Sequence, residues 1–155
     1  MLRKGPEHVP DSWLLFALSI LFMILASFSA SILIEALSEE DFRFVFAETM
    51  LGLMFYGAVI FIFGYSRRIV RALTCIIGCG AILTVLFVAE FVFFRPFLGA
   101  AVAGDIAILI VLWSVPVEGH IISRAIQQHW FVGIAIAIAA LILQLGLQWA
   151  FDTRS

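Results

Sequence analysis

The sequence predicts an all-α fold: a polytopic transmembrane helix bundle of five spans with its N-terminus in the cytoplasm. Three observations carry that prediction. Of 155 residues, 64% are hydrophobic and only 13% are charged, whereas soluble domains hold about 45–50% apolar and about 25% charged residues. The mean hydropathy is +1.15. The apolar residues also gather into runs of about 20, the length that crosses a hydrocarbon core of roughly 30 Å. A water-soluble fold of this size has no place to hide so much apolar surface. The net charge is −2, and no basic tract is long enough to engage nucleic acid. The whole chain, 1–155, reads as a single integral membrane domain.

The first span is WLLFALSILFMILASFSASILI, 13–34. Arg3 and Lys4 precede it, and Ser27-Phe28-Ser29 resembles a signal-peptide cleavage site. Its apolar run is nevertheless about twice the usual h-region of roughly 7–15 residues, so an uncleaved span is expected. The second span covers 46–65 through MLGLMFYGAVIFIFGY, and the third, 69–94, is long enough to tilt. The fourth, 97–115, is the weakest because it contains Asp105. The fifth, 130–149, alternates as IAIAIAIA, yet an open strand in lipid leaves backbone groups unsatisfied, so a helix is expected. Four spans plus a re-entrant fourth segment is the alternative architecture.

Orientation follows from arginine and lysine, which favour cytoplasmic loops. With the N-terminus inside, Arg3, Lys4, Arg67, Arg68, Arg71 and Arg124 fall on the cytoplasmic side, and Arg43, Arg95 and Arg154 fall outside. Trp13, Trp130 and Trp149 stand at the expected interfaces. This places the protein in a cell membrane as a multi-pass protein, most simply a bacterial inner membrane.

Ionisable groups inside a span are functional candidates, since each costs roughly 2.5–3.5 kcal/mol at mid-bilayer. Asp105 lies about 12 Å into the fourth span, and Glu90 about one turn inside the outer end of the third. Arg95 stands in the connection between them, so Glu90, Arg95 and Asp105 form a candidate polar cluster: an ion pair locking the hairpin, or a proton or cation relay. Glu35 and Glu48 mark the outer ends of the first two spans. Small residues suit helix packing: Ala100 with Gly104, Gly133 with Ala137, and Gly78 with Gly80. Gln144 and Gln148 share a helix face as interhelical hydrogen-bonding groups. Cys75 and Cys79 read as small packing residues, because two thiols do not complete a zinc site.

The stretch VLWSVPVEGHIISRAIQQHW, 111–130, crowds Pro116, Glu118, His120, Arg124 and His129 together. Two histidines nine residues apart, without further ligands, do not have metal-site spacing. The stretch is expected to be a polar hinge: Pro116 ends or kinks the fourth helix, Gly119 allows a turn, and 117–127 forms a short interfacial helix. Glu118 and Arg124 then lie among the headgroups. No catalytic residue, metal site or cofactor is expected.

LWSVPVEGHIISRAIQQHWFVGIAIAIAALIL resembles the last two spans of small bacterial membrane proteins related to the Yip family (Ypt-interacting proteins), and FYGAVIFIFGY is similar in a looser way. The resemblance implies five spans, a cytoplasmic N-terminus, and a membrane-shaping or partner-binding bundle without catalytic residues. About a dozen residues precede the first span in this sequence, so the GTPase engagement of the long N-terminal region of eukaryotic members is not among the expectations carried over. The chain is therefore expected to be a non-enzymatic subunit, accessory factor or scaffold. Its partners would be membrane lipids and other membrane protein subunits, or further copies of itself. The alternative is a small proton- or cation-coupled transporter or channel component using its outer-leaflet carboxylates.

Overall fold

The computed structural model describes residues 12–33 and 39–152. They form five long helices: α1 Trp13–Leu33, α2 Glu39–Ile62, α3 Ile69–Ala89, α4 Arg95–Ala125 and α5 Trp130–Asp152. A 3₁₀ turn, Ser66–Arg68, leads into α3, and a π-helical turn, Glu90–Phe94, joins α3 to α4. Among the described residues there is no strand. Glu35 lies outside the described residues.

Among the described residues four stretches are long and apolar enough to cross a membrane: Trp13–Ala30, Ser66–Gly99, Ala101–Ala125 and Trp130–Leu147. The fourth segment, expected to be the weakest, is thus long enough. Among the described residues the second helix contributes a shorter apolar stretch, Thr49–Ile62, and α2 itself begins in the acidic run EEDFRF. Helix α2 therefore starts at Glu39 and not at Phe46, where the apolar run begins.

Helix α4 departs most from expectation. Pro116 does not end it, and residues 117–125 continue the same helix instead of forming a separate interfacial one. A proline removes one helical hydrogen bond, but opening the backbone in an apolar setting exposes several groups, so the helix persists. In the turn before the proline the Ser114 hydroxyl donates to the Val111 carbonyl at 2.8 Å. The break comes instead at Gly99, with φ 81° and ψ 164°, a backbone conformation open essentially to glycine alone. The α3–α4 hairpin therefore reverses at Gly99, after the π-helical turn.

In the bundle α1 packs on α3, α4 packs on both α3 and α5, and α2 sits against α5, α3 and α4. The tightest packing lies near the arginine-bearing end, where Ile60, Ile122 and Ile126 are fully buried with Ala72 and Ala125. α4 and α5 cross at Gly119 and Gly133: a Cβ added to Gly133 would collide with the Gly119 carbonyl oxygen and fall 2.9 Å from its carbonyl carbon. Most of α1 is exposed, including Leu14, Leu18, Leu21, Phe22 and Leu25.

Candidate functional site

Tyr56 and Glu118 meet in the interior of the bundle. Tyr56 lies six residues before the end of α2 at Ile62, and Glu118 seven residues before the end of α4 at Ala125. At 1.5 Å per residue, both stand about 10 Å from the arginine-bearing end. The Tyr56 hydroxyl donates to Oε2 of Glu118, and the Tyr56 side chain is 3% exposed. A buried phenol needs a polar partner, and a carboxylate among apolar helices needs one more. Each residue meets the other's requirement.

Above this pair lies a partly enclosed cavity of about 220 Å³, to which all five helices contribute. Ile24 of α1, Leu53 of α2 and Ile76 and Ile77 of α3 supply apolar wall. Glu118 and Tyr56 line one end, and Ser27, Thr49 and Gln144 add polar atoms elsewhere. Gln144 is fourteen residues into α5 from Trp130, about 20 Å from the arginine end. Its amide lies over Gly52, where a Cβ would come 2.7 Å from Nε2. Tyr56 makes the only hydrogen bond to the Glu118 carboxylate among the described residues. The carboxylate borders the cavity.

The expected cluster of Glu90, Arg95 and Asp105 takes a different form. Glu90 is buried in the π-helical turn, 4% exposed, with Oε1 unpartnered. Arg95 is exposed and places its guanidinium over the Phe91 ring at 4.3 Å. Asp105 is exposed and stands twenty residues, about 30 Å, from the end of α4 at Ala125. Among the described residues no ion pair joins the three. Asp105 thus stands apart from Glu90 and Arg95 on an exposed face, while Glu118, expected among the headgroups, meets Tyr56 inside the bundle.

Of the small residues, Gly133 makes the close crossing with Gly119, and Ala137 is 2% exposed one turn further on. A Cβ added to Gly78, Gly80 or Gly104 would meet nothing within 4 Å, so no neighbouring helix presses on them. Gly80 instead borders the cavity. The side chains of Ala100, Gln148 and Glu48 lie outside the described residues. Cys75 and Cys79 pack against the core as free thiols. No group of three potential metal ligands occurs among the described residues. Arg67 is exposed, while Arg68 and Arg71 are half-buried.

Tyr56 is the residue that sequence reasoning missed. Its signal is a phenol within an apolar run, which needs a partner that only another span can provide. In comparisons with protein-family models, with curated proteins and with solved structures, nothing matches the chain.

Proposed function

We propose that this is a five-span membrane protein, with its arginine-bearing end in the cytoplasm, that binds and carries a small apolar ammonium ion in exchange for protons. One observation carries this reading: Glu118, with one carboxylate oxygen held by Tyr56, stands at the end of a largely apolar cavity. Ionisable residues within spans default to a functional role because an unpartnered one is costly. In hydrocarbon a carboxylate is neutralised by a proton or by a cation, so occupancy by one displaces the other. The apolar walls favour an organic body behind the charge over a bare metal ion, which retains water or demands several oxygen ligands.

The topology draws on the arginine distribution, on four stretches long enough to cross, and on the length of α2. The Yip resemblance implies the same five spans. The partner-binding expectation rests on exposed helix faces such as that of α1, which lipid covers equally well.

The test is equilibrium binding of phenethylammonium to the purified protein in lipid nanodiscs, with proton release followed in weakly buffered solution. Saturable binding with release of protons is expected for the wild type, and at least a tenfold weaker affinity for Glu118→Gln. Equal binding by both proteins would remove Glu118 from the site.

A further inference from the structure

The geometry points to a second binding site, for an anionic phospholipid, at the arginine-bearing end of the bundle. Two helix ends meet there and fix each other. α2 closes on Gly64 at φ 81°, with the Tyr65 amide donating to the Ile60 carbonyl at 3.1 Å and the Gly64 amide to Phe61 at 2.9 Å. α4 closes in the same manner on Gln127 at φ 55°, with the Gln128 amide donating to the Ser123 carbonyl at 2.9 Å. Such left-handed caps satisfy carbonyls that a helix end leaves open.

The Gln127 amide bridges the two ends. With its oxygen toward Arg68 it accepts from the guanidinium at 2.7 and 3.1 Å, and its nitrogen donates to the Tyr65 hydroxyl at 3.1 Å. That orientation is assigned from the hydrogen-bonding pattern. Arg68 also reaches the Arg124 and Ala125 carbonyls, each at 3.4 Å, placing a cation at the negative end of the α4 dipole. Arg68 is thereby committed to structure.

Its neighbours are not. Arg67 and Arg124 are both exposed, and neither side chain has a partner among the described residues. Arg124 belongs to the helix turn that Arg68 caps, so both cations stand on one locked surface. The sequence contains no Asp or Glu from Ser66 to Ala89, nor from Gly119 to Phe151. At the same end of the bundle, where α5 begins, Trp130 and Phe131 are 45% and 67% exposed. Exposed cations and exposed aromatic rings at one end of a bundle suit an amphiphile: a phosphodiester against the guanidiniums and its glycerol and acyl chains over the rings. A basic pocket at helix ends is a recognised form of lipid headgroup site. This site is independent of the Glu118 cavity.

The experiment is competitive lipid binding by native mass spectrometry on the full chain, with phosphatidylglycerol against phosphatidylcholine. The wild type is expected to prefer phosphatidylglycerol. Each arginine near the surface supplies roughly fivefold, so Arg67→Gln with Arg124→Gln should weaken that lipid about thirtyfold. Arg67→Lys with Arg124→Lys should restore most of it, and Arg95→Gln, at the other end of the hairpin, should leave it unchanged. Unaltered preference in the Gln double variant, with melting temperature unchanged, overturns the assignment. Displacement of the lipid by soluble glycerophosphate as effectively as by phosphatidylglycerol itself also overturns it, since the site would then take a free phosphate ester.

Discussion

Replacing Gly133 with alanine tests the helix crossing that positions the Glu118 turn. The added Cβ would collide with the Gly119 carbonyl oxygen and stand 2.9 Å from its carbonyl carbon and 2.7 Å from the Ser123 Cβ. Two of those atoms are backbone and no rotamer relieves them. Carbon reaches optimal contact at about 3.5 Å or more, so α4 and α5 must separate by roughly 1 Å at this point. Overpacking of this kind costs about 1–3 kcal/mol, and Ala137 and Ala140, both buried along α5, lose contact in the same motion. Gly146 lies on the same helix, and a Cβ there meets nothing within 4 Å. Gly146→Ala should therefore be neutral or gain up to about 1 kcal/mol from helix propensity. The assay is reversible unfolding in mixed detergent micelles, followed by circular dichroism. If Gly133→Ala unfolds at the same denaturant fraction as Gly146→Ala, the close crossing is wrong.

Further outcomes follow from the same geometry. Tyr56→Phe should cost about 1–3 kcal/mol by stranding the Glu118 carboxylate, and much less in a Glu118→Leu background. Absence of that coupling in the double-mutant cycle would separate the two residues. Gly99→Ala forces a side chain into a backbone region reserved for glycine and should destabilise the hairpin by about 1–3 kcal/mol, measured in the same unfolding assay against Gly104→Ala as control. Arg68→Ala removes the cation that caps α4 and holds Gln127. Amide exchange at Gln127 and Gln128 should accelerate, while exchange around Gln144 stays unchanged. A cysteine appended after Ser155 should react with impermeant reagent in intact cells if five spans place it outside, and protection would contradict the topology.

The helical class and most boundaries were legible because long apolar runs depend on local composition alone. Trp13 and Trp130 begin their helices where the aromatic-belt argument puts them. The start of α2 was not legible, since EEDFRF reads as an acidic loop by composition and becomes helix only by continuing the apolar turns that follow. Pro116 misleads for a related reason. Its local preference is to break a helix, but apolar surroundings penalise an opened backbone more than one missing hydrogen bond. That single misreading moves Glu118 from the bundle interior to its surface. The Tyr56–Glu118 contact spans 62 residues of sequence, and no periodicity encodes which spans pair. The Gly133 and Ala137 spacing was visible, but its partner Gly119 was hidden in the supposed hinge.

If Glu118 is the working carboxylate, beside a cavity that takes an ammonium ion, dicyclohexylcarbodiimide should find it. The reagent partitions into apolar sites, takes up the proton of a neutral carboxyl and forms an O-acylisourea that rearranges to a stable N-acylurea. Mass spectrometry of peptides from the labelled full-length protein should place the adduct on Glu118, and phenethylammonium should protect it. An adduct on Glu90 or Asp105 with Glu118 unmodified, or labelling of Glu118 that the ammonium ion leaves unchanged, would show that the working site lies elsewhere.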